Sequence, residues 1–206
     1  MEIVVDNARK QDIKEKARYI NRLSEQFQLV HATYAVQEHI EKIVREYYQE
    51  KLRQLKKRIA LKLERGLDAG DELKEKAILE EDIKKKRFPI NIGYISISDE
   101  NLARIVKVNN SFTIYLAASL RNTIFNKDGE YNYEVINKIR HLMGHELGHL
   151  VLHTKELLDE EGTQGSWTIR DIEKESEANL FEKELLELRK ERNKKIRSDG
   201  GADKLF

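Results

Sequence analysis

The sequence predicts an α+β protein that is mostly helical, with a small three-stranded antiparallel sheet packed against one helix that carries the candidate functional residues. Residues 1–87 hold few turn-forming residues and repeat apolar positions every three or four residues, which is typical of helices. Short runs within residues 90–116 instead alternate apolar and polar side chains, which favours strands. We therefore expect a helical N-terminal region at 1–87, a core at 88–197 and a disordered tail at 198–206.

The N-terminal region is predicted to form three helices. The second and longest covers about residues 34–65, and Gly66 and Gly70 interrupt the helical pattern after it. Asp71 is the predicted N-cap of the third helix, which ends before Phe88 and Pro89 because a proline disfavours helix in the residue preceding it. The first helix carries an apolar stripe spaced by three or four residues: Ile13, Ala17, Ile20, Leu23 and Phe27.

Three strands are predicted next, at residues 90–98, 103–108 and 111–116, with a tight turn at Asn109 and Asn110. Strands that follow one another so closely favour an antiparallel meander with residues 112–116 at one edge. Helical spacing returns from about Tyr133 to His153, a glycine-containing loop is predicted over 157–167, and a last helix begins near Arg170.

Composition excludes several classes of function. Lys and Arg number 38 against 37 Asp and Glu, and this balance argues against direct binding to a nucleic-acid backbone. The chain has no cysteine, which rules out disulfides, thiolate ligands and cysteine nucleophiles. No apolar run approaches the length of a membrane span, and the acidic start lacks the order of a signal peptide, so a cytoplasmic protein is expected.

Residues 145–149 form an H-E-x-x-H motif inside the predicted helix. Residues four apart differ by about 40° around a helix, so His145 and His149 face the same side and could bind one Zn²⁺. Glu146 lies at the border of that face, where a carboxylate could take a proton from a water molecule on the metal. The motif therefore predicts two metal ligands and a catalytic base.

A third protein ligand is needed, and the last helix offers Glu175. Asn179 is four residues further on the same face and could hydrogen-bond a ligand imidazole, and the small Ala178 would permit close approach. The alternative interpretation is that the acids of this segment form only a solvated helix surface.

His141 and His153 extend the histidine stripe of the helix that carries the motif. Measured around the helix from the midpoint between His145 and His149, each lies about 60° away, so neither is expected to bind the same ion. His153 is expected to cap the helix or form a hydrogen bond near its end. The secondary alternative is that one of these histidines donates to the oxyanion, a role for which Tyr115, Tyr131 and Tyr133 are equally open.

The segment from Arg140 to His153, followed by Glu175-x-x-Ala178-Asn179-x-Phe181, resembles the ImmA/IrrE family of zinc metallopeptidases. The resemblance implies a gluzincin-like core with His145, His149 and Glu175 as zinc ligands and Glu146 as the base. It also implies a site-specific endopeptidase that cleaves a regulatory protein such as a DNA-binding repressor, often in mobile elements.

The expected function is therefore zinc-dependent peptide hydrolysis, with residues 112–116 aligning an extended substrate by strand addition. The alternative is a non-catalytic zinc protein that binds a partner through its N-terminal helices. These helices could contact a protein substrate or form a homodimer, because the long helix at 34–65 exceeds what a core of this size can cover.

Overall fold

The computed structural model describes residues 5–23, 29–84, 88–96, 102–108, 111–159 and 171–198. It confirms a mostly helical α+β fold with a small three-stranded sheet. Among the helices in these ranges, none combines the length and the apolar run that crossing a membrane requires. The elements in chain order are α1 (Asn7–Leu23), α2 (Leu29–Glu64), α3 (Gly70–Lys84), β1 (Ile90–Ile95), β2 (Ala103–Val108), β3 (Ser111–Ala117), α4 (Ala118–Asn122), α5 (Tyr133–Asp159) and α6 (Asp171–Ser198).

The N-terminal helices follow the predicted pattern. Three members of the first apolar stripe, Ile13, Ala17 and Ile20, are fully buried, whereas the Leu23 side chain and Phe27 lie outside the described residues. The start of α3 differs from the prediction, because Asp71 lies inside the first turn. The carboxylate that accepts a backbone N–H at this end belongs to Asp68, 2.9 Å from the nitrogen of Gly70.

The sheet is mixed, so the predicted antiparallel meander is wrong. The strand order is β1-β3-β2, with β1 parallel to β3 and β2 antiparallel to β3. Residues 112–116 therefore belong to the central strand and not to an edge. The predicted turn at Asn109 and Asn110, and the last two residues predicted for the first strand, lie outside the described residues.

Burial explains why β3 is central. Phe112, Ile114 and Leu116 are at most 1% exposed, and Thr113 on the opposite face is also buried. A central strand has its backbone paired on both sides, which suits such a residue run. In β1, by contrast, Ile92 is 45% exposed, as an edge position permits.

Helix α5 continues beyond its predicted end at His153. That residue has non-helical backbone angles (φ −126°, ψ 25°), so the helix is kinked there and then runs on to Asp159. Residues 157–159, predicted as the start of a loop, are helical, and the rest of that predicted loop and the tail from 199 onward lie outside the described residues. The end of α5 is held by Lys51, 3.0 Å from Asp159, and by Lys107, which donates to the Leu158 carbonyl at 3.2 Å.

The N-terminal helices pack directly on the helices that carry the candidate site. Helix α1 lies against α6, and α2 lies against α5. One cluster of buried apolar side chains joins the two regions: Ile13, Ile20, Ile40, Leu55, Leu147, Leu150, Phe181 and Leu185. The positions of α5 and α6 therefore depend on contacts with residues before position 87.

A chain that begins at residue 88 is expected to lose its helical fold and its metal binding together. Removing α1 and α2 would take away part of the apolar cluster in which Leu147, Leu150 and Leu185 are fully buried. Each such side chain returned to water costs about 1.5–3 kcal/mol, a large part of the stability of a small domain. Circular dichroism and zinc titration of the shortened chain measure this. A folded, zinc-binding fragment would instead support an independent core at 88–197.

Candidate metal centre

The H-E-x-x-H residues occupy the middle of α5, where the helix is regular and mostly buried. The side chain of His145 is 17% exposed and that of His149 is 2% exposed, so the two imidazoles lie one turn apart at the border between core and solvent. Their apolar neighbours Leu147 and Leu150 point into the core and are fully buried. Burial of that face fixes the rotation of α5 and therefore the direction of both histidines.

The structure brings His145, His149 and Glu175 together as one group that could hold a metal ion. The Nε2 atoms of the two histidines are 3.0 Å apart. Glu175 Oε2 lies 3.0 Å from His145 Nε2, and Glu175 Oε1 lies 3.1 Å from His149 Nε2. Two ligand atoms about 2.0–2.1 Å from a tetrahedral zinc ion are about 3.3 Å apart. The observed triangle is therefore close to the size that zinc requires.

A close contact between α5 and α6 places Glu175 within this distance. A Cβ atom added at Gly148 would lie 3.1 Å from both the Cα and the carbonyl oxygen of Ala178, and 3.2 Å from the Phe181 ring. Ala178 and Phe181 are themselves fully buried, so α6 already lies as near to α5 as atoms allow. Glycine at 148 thus permits the helix spacing at which Glu175 reaches the histidines.

The side chain of Asn179 contacts the imidazole of His145 at the ring nitrogen that does not face Glu175. Its Oδ1 lies 2.9 Å from His145 Nδ1. An amide oxygen only accepts hydrogen bonds, so Nδ1 of His145 must carry a proton, and in the neutral imidazole Nε2 is left with its lone pair. Nε2 is the atom that faces Glu175 and His149. This tautomer is the one that metal binding through Nε2 requires.

The carboxyl groups of the site have opposite electrostatic environments. Burial raises the pKa of Glu146 to about 7, against the lowering effect of His145 and with a smaller increase from the charge of Glu175. Hydrogen bonds from His145 and His149 hold the pKa of Glu175 far below its usual range. Glu175 is therefore ionised at neutral pH, as a zinc ligand would have to be, whereas Glu146 in the metal-free site can exchange a proton near neutral pH.

The imidazole of His145 also titrates differently from a free histidine. Burial by itself would lower its pKa, but the hydrogen bond with Glu175 and the charge of Glu146 raise it above the ordinary value. In the absence of a metal ion, the carboxylates around His145 thus attract a positive charge. A divalent cation would supply that charge in place of the proton.

The two other histidines of the stripe lie outside the cluster. His141 is on the exposed side of α5, with Nδ1 2.5 Å from Glu182 Oε1. His153 is buried at the kink, where its Nε2 lies 3.6 Å from Glu177 Oε2, and burial lowers its pKa to about 4. His153 is therefore a neutral core residue, which leaves His141 as the solvent-facing histidine of the pair.

Sequence reasoning overlooked the role of Gly148 and the contact between Glu177 and Arg9 of the N-terminal helix α1. A signal for the first was present. Gly144 and Gly148 are four residues apart in an otherwise helical pattern, and such spacing puts both on one face. Two glycines on one helical face indicate close approach of a neighbour. The second contact joins residues 168 positions apart, and no local pattern predicts it.

The chain matches no protein-family model, no curated protein and no solved structure. The resemblance to the ImmA/IrrE family therefore stays a prediction carried by residues 140–153 and 175–181.

Replacing Gly148 with alanine is expected to weaken zinc binding by about tenfold or more, because the new methyl group meets backbone atoms of Ala178 and pushes α6 outward. Gly144→Ala is the matched control. Its Cβ would be 3.1 Å from the flexible Cγ of Glu182, which can move aside. Both variants gain the same helix propensity of about 1 kcal/mol. Competition titration with a zinc-binding dye compares them, and equal affinities would show that the 148 contact does not set the site.

Proposed function

We propose that the protein is a zinc-dependent endopeptidase of the gluzincin type. The observation that carries this proposal is the group of His145, His149 and Glu175, whose ligand atoms lie 3.0–3.1 Å apart beside a buried Glu146. Two imidazoles and one carboxylate leave a fourth position open, which distinguishes catalytic zinc sites from closed structural ones.

The donor set supports zinc. Two neutral imidazole nitrogens and one carboxylate oxygen are ligands that zinc takes in hydrolases, and magnesium or calcium would require more oxygen donors. Zinc bound there would polarise a carbonyl group and bring the pKa of a water molecule near 7.

Glu146 is the residue proposed to move the proton. It follows His145 directly in α5, so its carboxyl group lies next to the three ligands without belonging to them. Burial raises its pKa to about 7 in the metal-free site, so this carboxyl group is suited both to accept the proton of the attacking water and to return it to the leaving amine. Asn179 keeps His145 in the required tautomer through the 2.9 Å contact.

An extended substrate would be aligned by a free strand edge. Because β3 is central, only β1 and β2 have an unpaired side within the described sheet. Strand β2 packs against α5 and is the nearer candidate. The finer part of the proposal is site-specific cleavage of a regulatory protein, such as a DNA-binding repressor, in the cytoplasm, with no direct contact to nucleic acid. It is supported by the resemblance of residues 140–153 and 175–181.

A non-catalytic role as a zinc protein that binds a partner, or a second copy, through the N-terminal helices is the second candidate. Several large apolar side chains around the α2–α3 connection are about half exposed or more, and such side chains are common at interaction surfaces. They are Leu61, Leu63, Leu67, Leu73 and Ile78. A non-catalytic role does not require a buried carboxyl group such as that of Glu146 beside the metal-binding residues. Hydrolysis is therefore the first proposal.

The test uses the whole chain, purified and loaded with one equivalent of zinc. It is incubated with a proteome-derived peptide library and with proteins encoded next to it, and new termini are identified by mass spectrometry. Cleavage at a defined set of sites, lost with a chelator and restored by zinc, is the expected result. A zinc-loaded chain that produces no new termini while it retains a bound protein partner would support the second candidate.

A further inference from the structure

A buried ion pair links the N-terminal helix to α6 close to the metal ligands. Arg9 of α1 contacts Glu177 through two parallel hydrogen bonds, Nε to Oε1 at 2.7 Å and Nη2 to Oε2 at 2.5 Å. The Glu177 side chain is only 7% exposed, and that of Arg9 is 31% exposed. Arg9 is in turn held by Asp12, whose Oδ2 lies 2.9 Å from Nη1. The guanidinium is therefore fixed on both sides.

The pair lies on a different face of α6 from Glu175, next to His153 of α5, whose Nε2 is 3.6 Å from Glu177 Oε2. Glu177 is two residues after Glu175, so the two side chains point about 160° apart around the helix axis. Glu175 is directed at His145 and His149, whereas Glu177 is directed at Arg9 of α1 and at His153 of α5. If α6 rotated by about 20° about its own axis, a side-chain group about 6 Å from that axis would move by about 2 Å. This displacement equals the length of a zinc–ligand bond. The rotation of α6 thus decides whether Glu175 can bind the metal.

We propose that Arg9 is a positioning residue for the metal ligand Glu175. The planar guanidinium group of Arg9 binds both carboxylate oxygens of Glu177 and therefore resists rotation of α6. A single ammonium group or an apolar contact would resist this rotation less well. The inference rests on the metal site of the proposed function but not on peptide cleavage. It makes α1 part of the metal centre, so that displacement of this helix weakens metal binding.

The chain offers a matched comparison on the same two helices. Lys14 of α1 lies 3.3 Å from Glu184 of α6, and the side chains are 39% and 26% exposed. This pair also joins α1 to α6, but it is monodentate, more open to solvent and nine residues beyond Glu175. Exposed pairs of this kind contribute little. Its removal controls for loosening α1 in general.

The experiment measures zinc affinity by chelator competition, and the absorption spectrum of the Co²⁺-loaded protein, in the whole chain. Arg9→Met combined with Glu177→Met removes both charges without leaving one buried alone. We expect normal helicity, about tenfold or more weaker zinc binding, and a Co²⁺ spectrum altered by loss of the carboxylate ligand. Arg9→Lys, which keeps the charge but lacks the planar guanidinium group, is expected to lose several-fold. Lys14→Ala with Glu184→Ala should stay within about twofold of the parent.

Parental affinity and an unchanged Co²⁺ spectrum in a folded double-methionine variant would overturn the inference. If the double-methionine variant does not fold, the same two measurements on Arg9→Lys decide: parental zinc affinity with an unchanged Co²⁺ spectrum would overturn the inference. A parent chain that binds neither metal overturns this inference together with the metal site. A parent that binds zinc but cleaves nothing contradicts only the peptidase proposal, because every readout here is metal binding.

Discussion

Replacing His149 with alanine is expected to abolish stoichiometric zinc binding. His149 offers one of the three protein atoms that could hold a metal ion, and its Nε2 lies 3.0 Å from His145 Nε2 and 3.1 Å from Glu175 Oε1. Loss of an outer partner of a ligand typically weakens zinc binding by about 10–100-fold, and loss of the ligand itself must cost more. Elemental analysis of the purified variant and a competition titration measure the effect.

The control for this variant is His153→Ala. His153 is also a buried histidine on α5, one turn beyond His149, and its removal leaves a cavity of similar size. Both variants should therefore lose comparable stability in thermal unfolding, but only His149→Ala should lose zinc. Zinc retained by His149→Ala, or lost equally by both, would contradict the assignment of the ligands.

The helices of this protein could be predicted because their signal is local. The spacing of Ile13, Ala17 and Ile20 gives the buried face of α1, and the same spacing along residues 34–65 gives most of α2. The sequence likewise predicts that residues 145–149 lie on a helix. Helix ends are harder to predict where they depend on tertiary contacts. At His153, the predicted end of α5, the helix kinks and continues along α2 and β2 to Asp159.

The strand order could not be predicted in the same way. Alternation of apolar and polar residues indicates a strand with one buried face, but it is the same for parallel and antiparallel neighbours. The choice depends on which strand is buried most, and β3, with Phe112, Ile114 and Leu116 in the core, takes the central place. β1 then pairs with β3 in parallel across the connection that contains β2.

The candidate site was partly predictable for a similar reason. His145 and His149 are placed by helix geometry alone, and Glu175 and Asn179 by a shared helix face. What the sequence does not contain is the distance between α5 and α6, which depends on Gly148 against Ala178. The rotation of α6 about its axis cannot be predicted from a local pattern either, because the Arg9–Glu177 contact joins residues 168 positions apart.

Replacing Glu146 with glutamine is expected to lower the rate of peptide cleavage by about 10²–10⁴-fold while zinc content and fold stay unchanged. The side chain is 6% exposed and lies beside the ligands without binding between them, so an amide of the same size fits in its place. The amide cannot accept the proton of the attacking water, and the affected step is proton transfer alone.

Glu173→Gln is the control for the removal of one acidic group, because Glu173 is an exposed residue of α6 just before Glu175. It should cleave at a rate within a few-fold of the parent. The comparison uses the initial rate on a peptide found in the library experiment, with zinc measured in the same samples. If Glu146→Gln cleaves as fast as Glu173→Gln, the base is another group. If instead it loses zinc, Glu146 acts on the metal ligands and not on the proton, and the assignment of catalysis to this carboxyl group would be wrong.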